Sequence, residues 1–259
     1  MNTVSPTLQA TLTQLDPELV TIRRDLHAHP ELSWHEVRTT DLLGNRLADA
    51  GLRVRRLPGT GLVVVLVDAT GERTMLPSRG ANAGLRADDV TGALDVVAAF
   101  PGGMPHVHVS GYVLLDGGSR AAGLAALDSA RRRGWTTSVD PQAAALVREV
   151  GAATFLGWVH GVDLLLPNAA EAHALGGIDA MLAAVGAVAV TDGAAGARWY
   201  AAGGLAGEVA AQRVEAVDTT GAGDAFNGGL LAAWVAGADP QAALAAGVAA
   251  GTAVVAGRV

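Results

Sequence analysis

The 259-residue chain is half apolar, has 34 glycines and no cysteine, and carries a net charge of −7. That length and apolar content suffice for one large α/β domain or two modest ones. No basic stripe exists to displace counterions, so nucleic acid is excluded as the main partner, and the lack of cysteine excludes disulfides and thiolate metal sites.

Residues 1–60 hold as many arginines as acids, so the whole net charge lies in 61–259. The opening residues Met1 to Pro6 lack a basic stretch followed by an apolar core, so no secretory signal is expected. Helices are expected from Pro17 to His27 and from Ser33 to Ala50, the second ending at Gly51. Ser33 and Glu36 have the spacing of a capping box, and Leu42, Leu43, Arg46, Leu47 and Ala50 repeat at helical spacing. Leu52 to Leu57 reads as a short strand, and Pro58 to Gly61 as a turn.

The string Arg23-Arg24-Asp25-Leu26-His27-Ala28-His29-Pro30-Glu31-Leu32-Ser33, with Glu36, Thr39 and Gly51-Leu52, resembles the start of the M20 metallopeptidases and amidohydrolases. That family's metal ligands come from later segments with a His-x-Asp pattern, and none follows here. His27, His29 and His35 lack a carboxylate partner at ligand spacing, so no M20-type metal site is expected. They read instead as solvated helix-end or packing residues.

From Leu62 the pattern changes. Leu62 to Val67 is a continuous apolar run with β-branched residues, a strand suited to burial on both faces. The turn Asp68 to Glu72 leads to a second strand, Arg73 to Leu76, in a hairpin. Strands and helices then alternate. Strands are expected at His106–Ser110, Thr136–Asp140, Val162–Leu166, Val188–Thr191, Arg198–Tyr200 and Val209–Val217. Helices are expected at Ser119–Arg133, Ala143–Gly151 and Ile178–Gly186, and two more follow Asp224. Arg131, Arg132 and Arg133 suit a helix C-terminus before Gly134. The Ala/Gly-rich block Ala242 to Ala256 reads as packed helix rather than a membrane span. Repeated strand–helix units of this length imply an α/β fold with a doubly wound, mostly parallel sheet.

The most informative string is Asp218-Thr219-Thr220-Gly221-Ala222-Gly223-Asp224, followed by an apolar helical run. A glycine-rich turn opening a helix offers unpaired N–H groups and the positive end of the dipole to an anion. An aspartate there adds like charge, which makes sense if it takes a proton from an attacking hydroxyl; by itself it is also an ordinary helix cap. Pro167-Asn168-Ala169-Ala170-Glu171 follows a strand and reads either as a capping box or as a magnesium and phosphate site. Thr191-Asp192-Gly193-Ala194-Ala195-Gly196 follows the next strand as a glycine-rich turn.

Together these strings resemble the PfkB (ribokinase-like) carbohydrate kinases over about 62–259. The resemblance implies a ribokinase-like fold and an ATP-dependent phosphotransferase acting on a sugar-like hydroxyl. Asp224 would be the catalytic base, and Gly221, Ala222 and Gly223 the anion hole. Asn168, Thr191, Gly193, Gly196 and Gly223 would bind nucleotide, and Asn168 and Glu171 would order Mg²⁺ and phosphate. Asp218 and Thr220 would hold a monovalent cation such as K⁺, and Gly247 to Ala253 would begin a helix covering the adenine. Asp192 stands where family members often carry Lys or Leu. Asp140-Pro141, Ser110-Gly111-Tyr112 and Arg79-Gly80-Ala81-Asn82 fit strand ends near the cleft, and equally fit turns.

The family's opening strand, its substrate-binding Asp and its lid strands have no counterpart before Leu62. The expectation is therefore two pieces, an M20-like helical fragment at 1–61 and an N-terminally truncated ribokinase-like domain at 62–259, joined near Gly61 in a cytoplasmic protein. Three functions follow: a carbohydrate kinase whose activity truncation impairs, a non-catalytic nucleotide-binding remnant, or an M20-type amidohydrolase. The partner in the first is a small sugar-like molecule, with neither nucleic acid nor membrane.

Overall fold

A computed structural model describes residues 20–22, 24–26, 28–29, 37–49, 62–67, 73–78, 80–99, 105–212, 214 and 221–257. The expected Ser33–Glu36 box, the Leu52–Leu57 strand, His27, His35, Arg79, Asp218 and Thr220 lie outside them. The chain divides into two compact units, Met1–Ala81 and Asn82–Val259.

In the first unit, α1 spans Val37–Asp49. Asp25 receives a two-pronged ion pair from Arg38 at 2.9 and 2.8 Å, and His29 is an exposed residue bonded through Nδ1 to the Asp25 carbonyl. Strands β1 (Leu62–Val67) and β2 (Arg73–Ser78) form an antiparallel hairpin, with Leu62 opposite Ser78 and Val67 opposite Arg73. The apolar run at Leu62 thus makes a separate two-stranded sheet and does not enter the main one.

The second unit is built on six strands in chain order: β3 (His106–Ser110), β4 (Thr136–Asp140), β5 (Leu164–Leu165), β6 (Ala187–Thr191), β7 (Ala197–Ala201) and β8 (Gly204–Val209). The first four are parallel, and β7 and β8 return antiparallel. Strands laid down in sequence with right-handed crossovers send every connecting helix to one face. That face receives α2 (Ala87–Ala98), α3 (Gly111–Leu115), α4 (Arg120–Arg132), α5 (Ala144–Val150), α6 (Ala152–Trp158), α7 (Ala169–Ala174) and α8 (Ile178–Leu182). The opposite face is closed by the last two helices, α9 (Ala222–Val235) and α10 (Pro240–Val255).

The pleat sorts the core accordingly. Val107, Val109, Val139, Leu165 and Val188 join Leu127, Phe155 and Met181 on the first face. Their neighbours Leu164, Leu166, Ala187, Ala189 and Trp199 join Phe226, Leu230 and Leu244 on the second. Each fully buried Leu or Phe contributes about 1.5–3 kcal/mol. Close approach of α9 and α10 requires small residues. A Cβ on Gly229 would lie 2.8 Å from the Ala246 carbonyl, and one on Gly247 2.9 Å from the Phe226 ring. Gly247 is therefore a mid-helix packing residue of α10, whose start is Pro240, capped by Asp239 through the Ala242 N–H.

Three differences from the sequence reading have physical causes. The helix α2 was not expected, because its Asp88, Asp89 and Gly92 break up a stripe that buries no residue completely. The final strand ends at Val209, whereas the sequence reading began it there. Gly203 and Gly204, at φ 110° and 103°, turn the chain back at once, so the partner of β7 is the glycine-rich Gly204–Val209 rather than the more β-branched segment after it. The expected helix does end at Gly151, where φ is 89°, but a second helix not expected from the sequence, Ala152–Trp158, follows it at once. Among the described residues no helix is long and apolar enough to cross a membrane.

Candidate functional site

The carboxyl ends of β4, β5 and β6 face the N-terminus of α9 across an open cleft of about 200 Å³. It is lined by Asp140, Gln142, Asn168, Glu171, Asp224 and Asn227, with Leu166, Thr191, Gly221 and Gly223 completing the wall. Such a crevice beyond the strand ends is where open α/β sheets bind ligands.

The α9 wall begins at Gly221, which adopts the left-handed conformation at φ 76° and N-caps the helix without a side-chain cap bond. An L-residue is disfavoured there, and the chain uses glycine. The first helical bond runs from the Ala225 N–H to the Gly221 carbonyl at 2.9 Å, which leaves the earlier N–H groups at the positive end of the helix. A Cβ on Gly221 or Gly223 would meet nothing within 4 Å, so the turn faces open space. Asp224, in the same turn, is exposed to the cleft.

The opposite wall is the start of α7. Asn168 is its N-cap: the side-chain oxygen accepts from the Glu171 N–H at 2.9 Å. Glu171 accepts in return from the Asn168 backbone N–H at 2.9 Å and from its Nδ2 at 2.8 Å. Glu171 is only 3% exposed. Burial, with the Asp140 charge adding to it, pushes its carboxyl up to about 7 against the two Asn168 bonds. The capping box is real, and it aims a buried carboxyl at the cleft.

Asp140 ends β4 with a carboxylate that is 9% exposed. Its Oδ1 accepts from the Gln142 N–H at 2.9 Å and its Oδ2 from the Asn227 Nδ2 at 2.5 Å. Burial pushes its carboxyl up to about 6, with the neighbouring Asp224 charge adding a smaller share. Three carboxylates thus line one cleft, and no described residue of its wall is basic. The carboxylates do not converge on a point: no cluster of three or more acidic or histidine side chains capable of holding a bare metal exists among the described residues.

The glycine-rich turn after β6 is a tight hairpin. The Asp192 N–H bonds to the Gly196 carbonyl at 2.8 Å, and residues 193–195 make a 3₁₀ turn. Thr191 lines the cleft, and its N–H bonds to the Pro167 carbonyl at 3.0 Å. Gly193 is exposed and Gly196 is buried, with a Cβ position 2.0 Å from the Val209 carbonyl. The structure thus brings Gly221, Gly223, Asp224, Asn168, Glu171 and Thr191 together. Ala222, Gly193 and Gly196 stay outside the cleft wall. Sequence reasoning missed Gln142 and Asn227, and it left Asp140 undecided between site and turn.

A second polar strip lies behind the cleft, on the sheet face that α9 covers. His106 bonds to Thr136 Oγ1 and Ser138 Oγ, both at 2.8 Å, and His108 Nδ1 meets the same Ser138 Oγ at 2.7 Å. Burial, and then the neighbouring His108, lower His106 to about 4. Burial also lowers His108, against the attraction of Asp224. Trp234 of α9 stands edge-on to His106 at 5.6 Å.

A doubly covered α/β sheet whose strand ends face a glycine-opened helix N-terminus is an architecture in which open α/β folds hold ligands. The model of the pfkB family carbohydrate kinases matches residues 40–258, and the chain belongs to that family. Among solved structures it is similar to a "probable sugar kinase protein" from Rhizobium etli CFN 42, at 26% identity and TM-score 0.68 over 83% of this chain and 67% of that one. A "putative Ribokinase II" from E. coli, solved with ATP and Mg²⁺, is 26% identical at TM-score 0.68 over 84% of this chain and 73% of that one. These likenesses bear out the ribokinase-like fold with its mostly parallel sheet. A curated protein of Rhodococcus jostii (strain RHA1), "Putative glutamate--cysteine ligase 2-3", is 50% identical over 62 residues, which is 23% of this chain and 8% of that protein. The chain therefore spans only 8% of the length of that curated relative.

Proposed function

We propose that the chain is an ATP-dependent phosphotransferase acting on a sugar-like hydroxyl. The observation that carries this reading is the uncapped, open turn Gly221–Asp224 facing the Asn168–Glu171 pair across one cleft. ATP with Mg²⁺ supplies the phosphoryl group when bound, and the three carboxylates of the wall suit a polyphosphate that brings its own cation. The N–H groups of Gly221, Ala222 and Gly223 hold the transferring group as charge spreads over its oxygens. Asp224 accepts the proton of the attacking hydroxyl. Glu171, steadied by Asn168, would help hold the hydrated cation, and Thr191 would face the nucleotide with Gly193 and Gly196 shaping the turn behind it. The same reading gives Asp218 and Thr220 a monovalent cation, K⁺, and sets the protein in the cytoplasm.

The domain reading belongs to the same proposal: a ribokinase-like body from about residue 62 and a foreign, M20-like fragment at 1–61. The latter rests on the Arg23–Ser33 string with Glu36, Thr39 and Gly51-Leu52, and the family match already starts at residue 40.

The test is Mg²⁺-dependent ADP release across a panel of sugars and nucleosides. A stimulating acceptor is expected, with Asp224→Asn reducing kcat about 10²–10⁴-fold while ADP binding is kept. Mg·ADP binding without turnover on any acceptor would instead assign a non-catalytic nucleotide-binding protein. Full turnover in Asp224→Asn would overturn the role of that carboxylate.

A further inference from the structure

Asp140 makes two hydrogen bonds that reach opposite walls of the cleft. Oδ1 accepts from the Gln142 N–H, and Oδ2 accepts from Asn227 on α9. Each bond ends on a feature that needs holding. Gln142 is the non-glycine residue with positive φ among the described residues, at 69°, and it lines the cleft. A left-handed backbone costs a non-glycine residue about 1 kcal/mol or more, and such strain persists only where the surroundings fix it. Asn227 stands three residues after Asp224, on the same side of the helix. Its bond therefore sets the rotation of the first turn of α9 about the helix axis.

The loop after β4 is held from behind as well. A Cβ on Gly111 would lie 2.4 Å from the Pro141 carbonyl and 2.6 Å from that of Asp140, so only glycine admits the loop at this depth. The far end of α9 is fixed differently, by Trp234 against His106 at 5.6 Å and Trp199 at 6.0 Å. Near the cleft the polar tie from α9 to the sheet is the Asn227–Asp140 bond.

We propose that Asp140 is a positioning residue. Its carboxylate braces the cleft, holding Gln142 in its left-handed state on one side and the Gly221–Asp224 turn in register on the other. As a positioning residue for phosphoryl transfer it rests on the function proposed above; as a brace of the free protein it does not.

Amide hydrogen exchange of the full chain without nucleotide tests the brace. The N–H groups of Ala225 to Gly228 close onto the carbonyls of Gly221 to Asp224, so they report on the turn itself. Asn227→Leu should speed their exchange about tenfold or more, the effect of losing a hydrogen bond to a charged group, while α10 and the sheet keep their protection. The exchanged pair Asp140→Asn/Asn227→Asp rebuilds the bond with donor and acceptor reversed, and an asparagine at 140 still accepts from Gln142. It should return the amides to within about threefold of wild type, and it decides the matter should Asn227→Leu fail to fold. Unchanged exchange in folded Asn227→Leu, or a double variant as fast as the single one, overturns the brace. Calorimetry with Mg·ADP on the same proteins is read separately. Absence of binding by the wild type counts against the phosphotransferase reading, while the exchange data still decide the role of Asp140.

Discussion

Raising the pH from 5 to 8 should cost the free protein stability through Glu171, while His106 and His108, both lowered by burial, act with the opposite sign. The Glu171 carboxyl lies at about 7 in the fold, against 4.5 for the ordinary group. The folded state thus holds a proton that the unfolded state has already released between those values, and stability falls as pH rises through that window. At 1.36 kcal/mol per pKa unit, integration from pH 5 to 8 gives a loss of about 2.5 kcal/mol from this residue. Solvent screening takes little of it, because Glu171 is 3% exposed. Asp140, raised from 3.8 to about 6, contributes with the same sign, but about half of its effect is spent below pH 5, leaving about 1.4 kcal/mol. Urea denaturation at fixed temperature from pH 5 to 8 reads the slope. Glu171→Gln separates the two groups. Glutamine imitates the protonated acid, so the variant should match wild type within about 0.5 kcal/mol at pH 5 and exceed it by about 2 kcal/mol at pH 8. His106, lowered from 6.5 to about 4, returns about 2 kcal/mol over the same window, so the test is the difference between the two proteins: a glutamine variant that falls with pH as steeply as wild type would refute the claim that burial dominates at this carboxyl.

Two glycines should separate stability from function. Gly223→Ala should leave the protein as stable as before or up to about 1 kcal/mol more so, because the added methyl meets nothing within 4 Å and alanine favours helix. It should also weaken binding of a non-hydrolysable Mg·ATP analogue at least about fivefold in calorimetry, since the methyl stands at the proposed approach of the terminal phosphate. Gly196→Ala should do the reverse in kind, costing about 3 kcal/mol or more in thermal unfolding, because its backbone is left-handed at φ 98° and the Cβ would lie 2.0 Å from the Val209 carbonyl.

The parts of this protein that were legible in the sequence are those written in neighbouring residues. The run His106–Ser110, the helix ending in Arg131 to Gly134, and the Asn168-x-x-Glu171 cap all depend on residues within a turn or a pleat of each other, and each stands where its pattern puts it. The glycine-rich helix start is local too: one left-handed glycine and an uncapped turn follow from Gly221-Ala222-Gly223. Asp140 could not be told from a turn former, because what distinguishes it lies 87 residues away in Asn227. His106 and His108 were invisible for the same reason: their partners Thr136 and Ser138 belong to the next strand, and Trp234 to a helix from the far end of the chain. At Gly247 the expected helix start is instead the middle of α10, against the Phe226 ring. These cases share one cause. A parallel sheet wound in chain order pairs each strand with the next, so its local units are readable one at a time. The last two helices must then close the remaining face, and every residue that binds them to the sheet is a long-range pair. The candidate site lies on that closure. Its anion turn could be read from sequence, and the carboxylate that braces the turn could not.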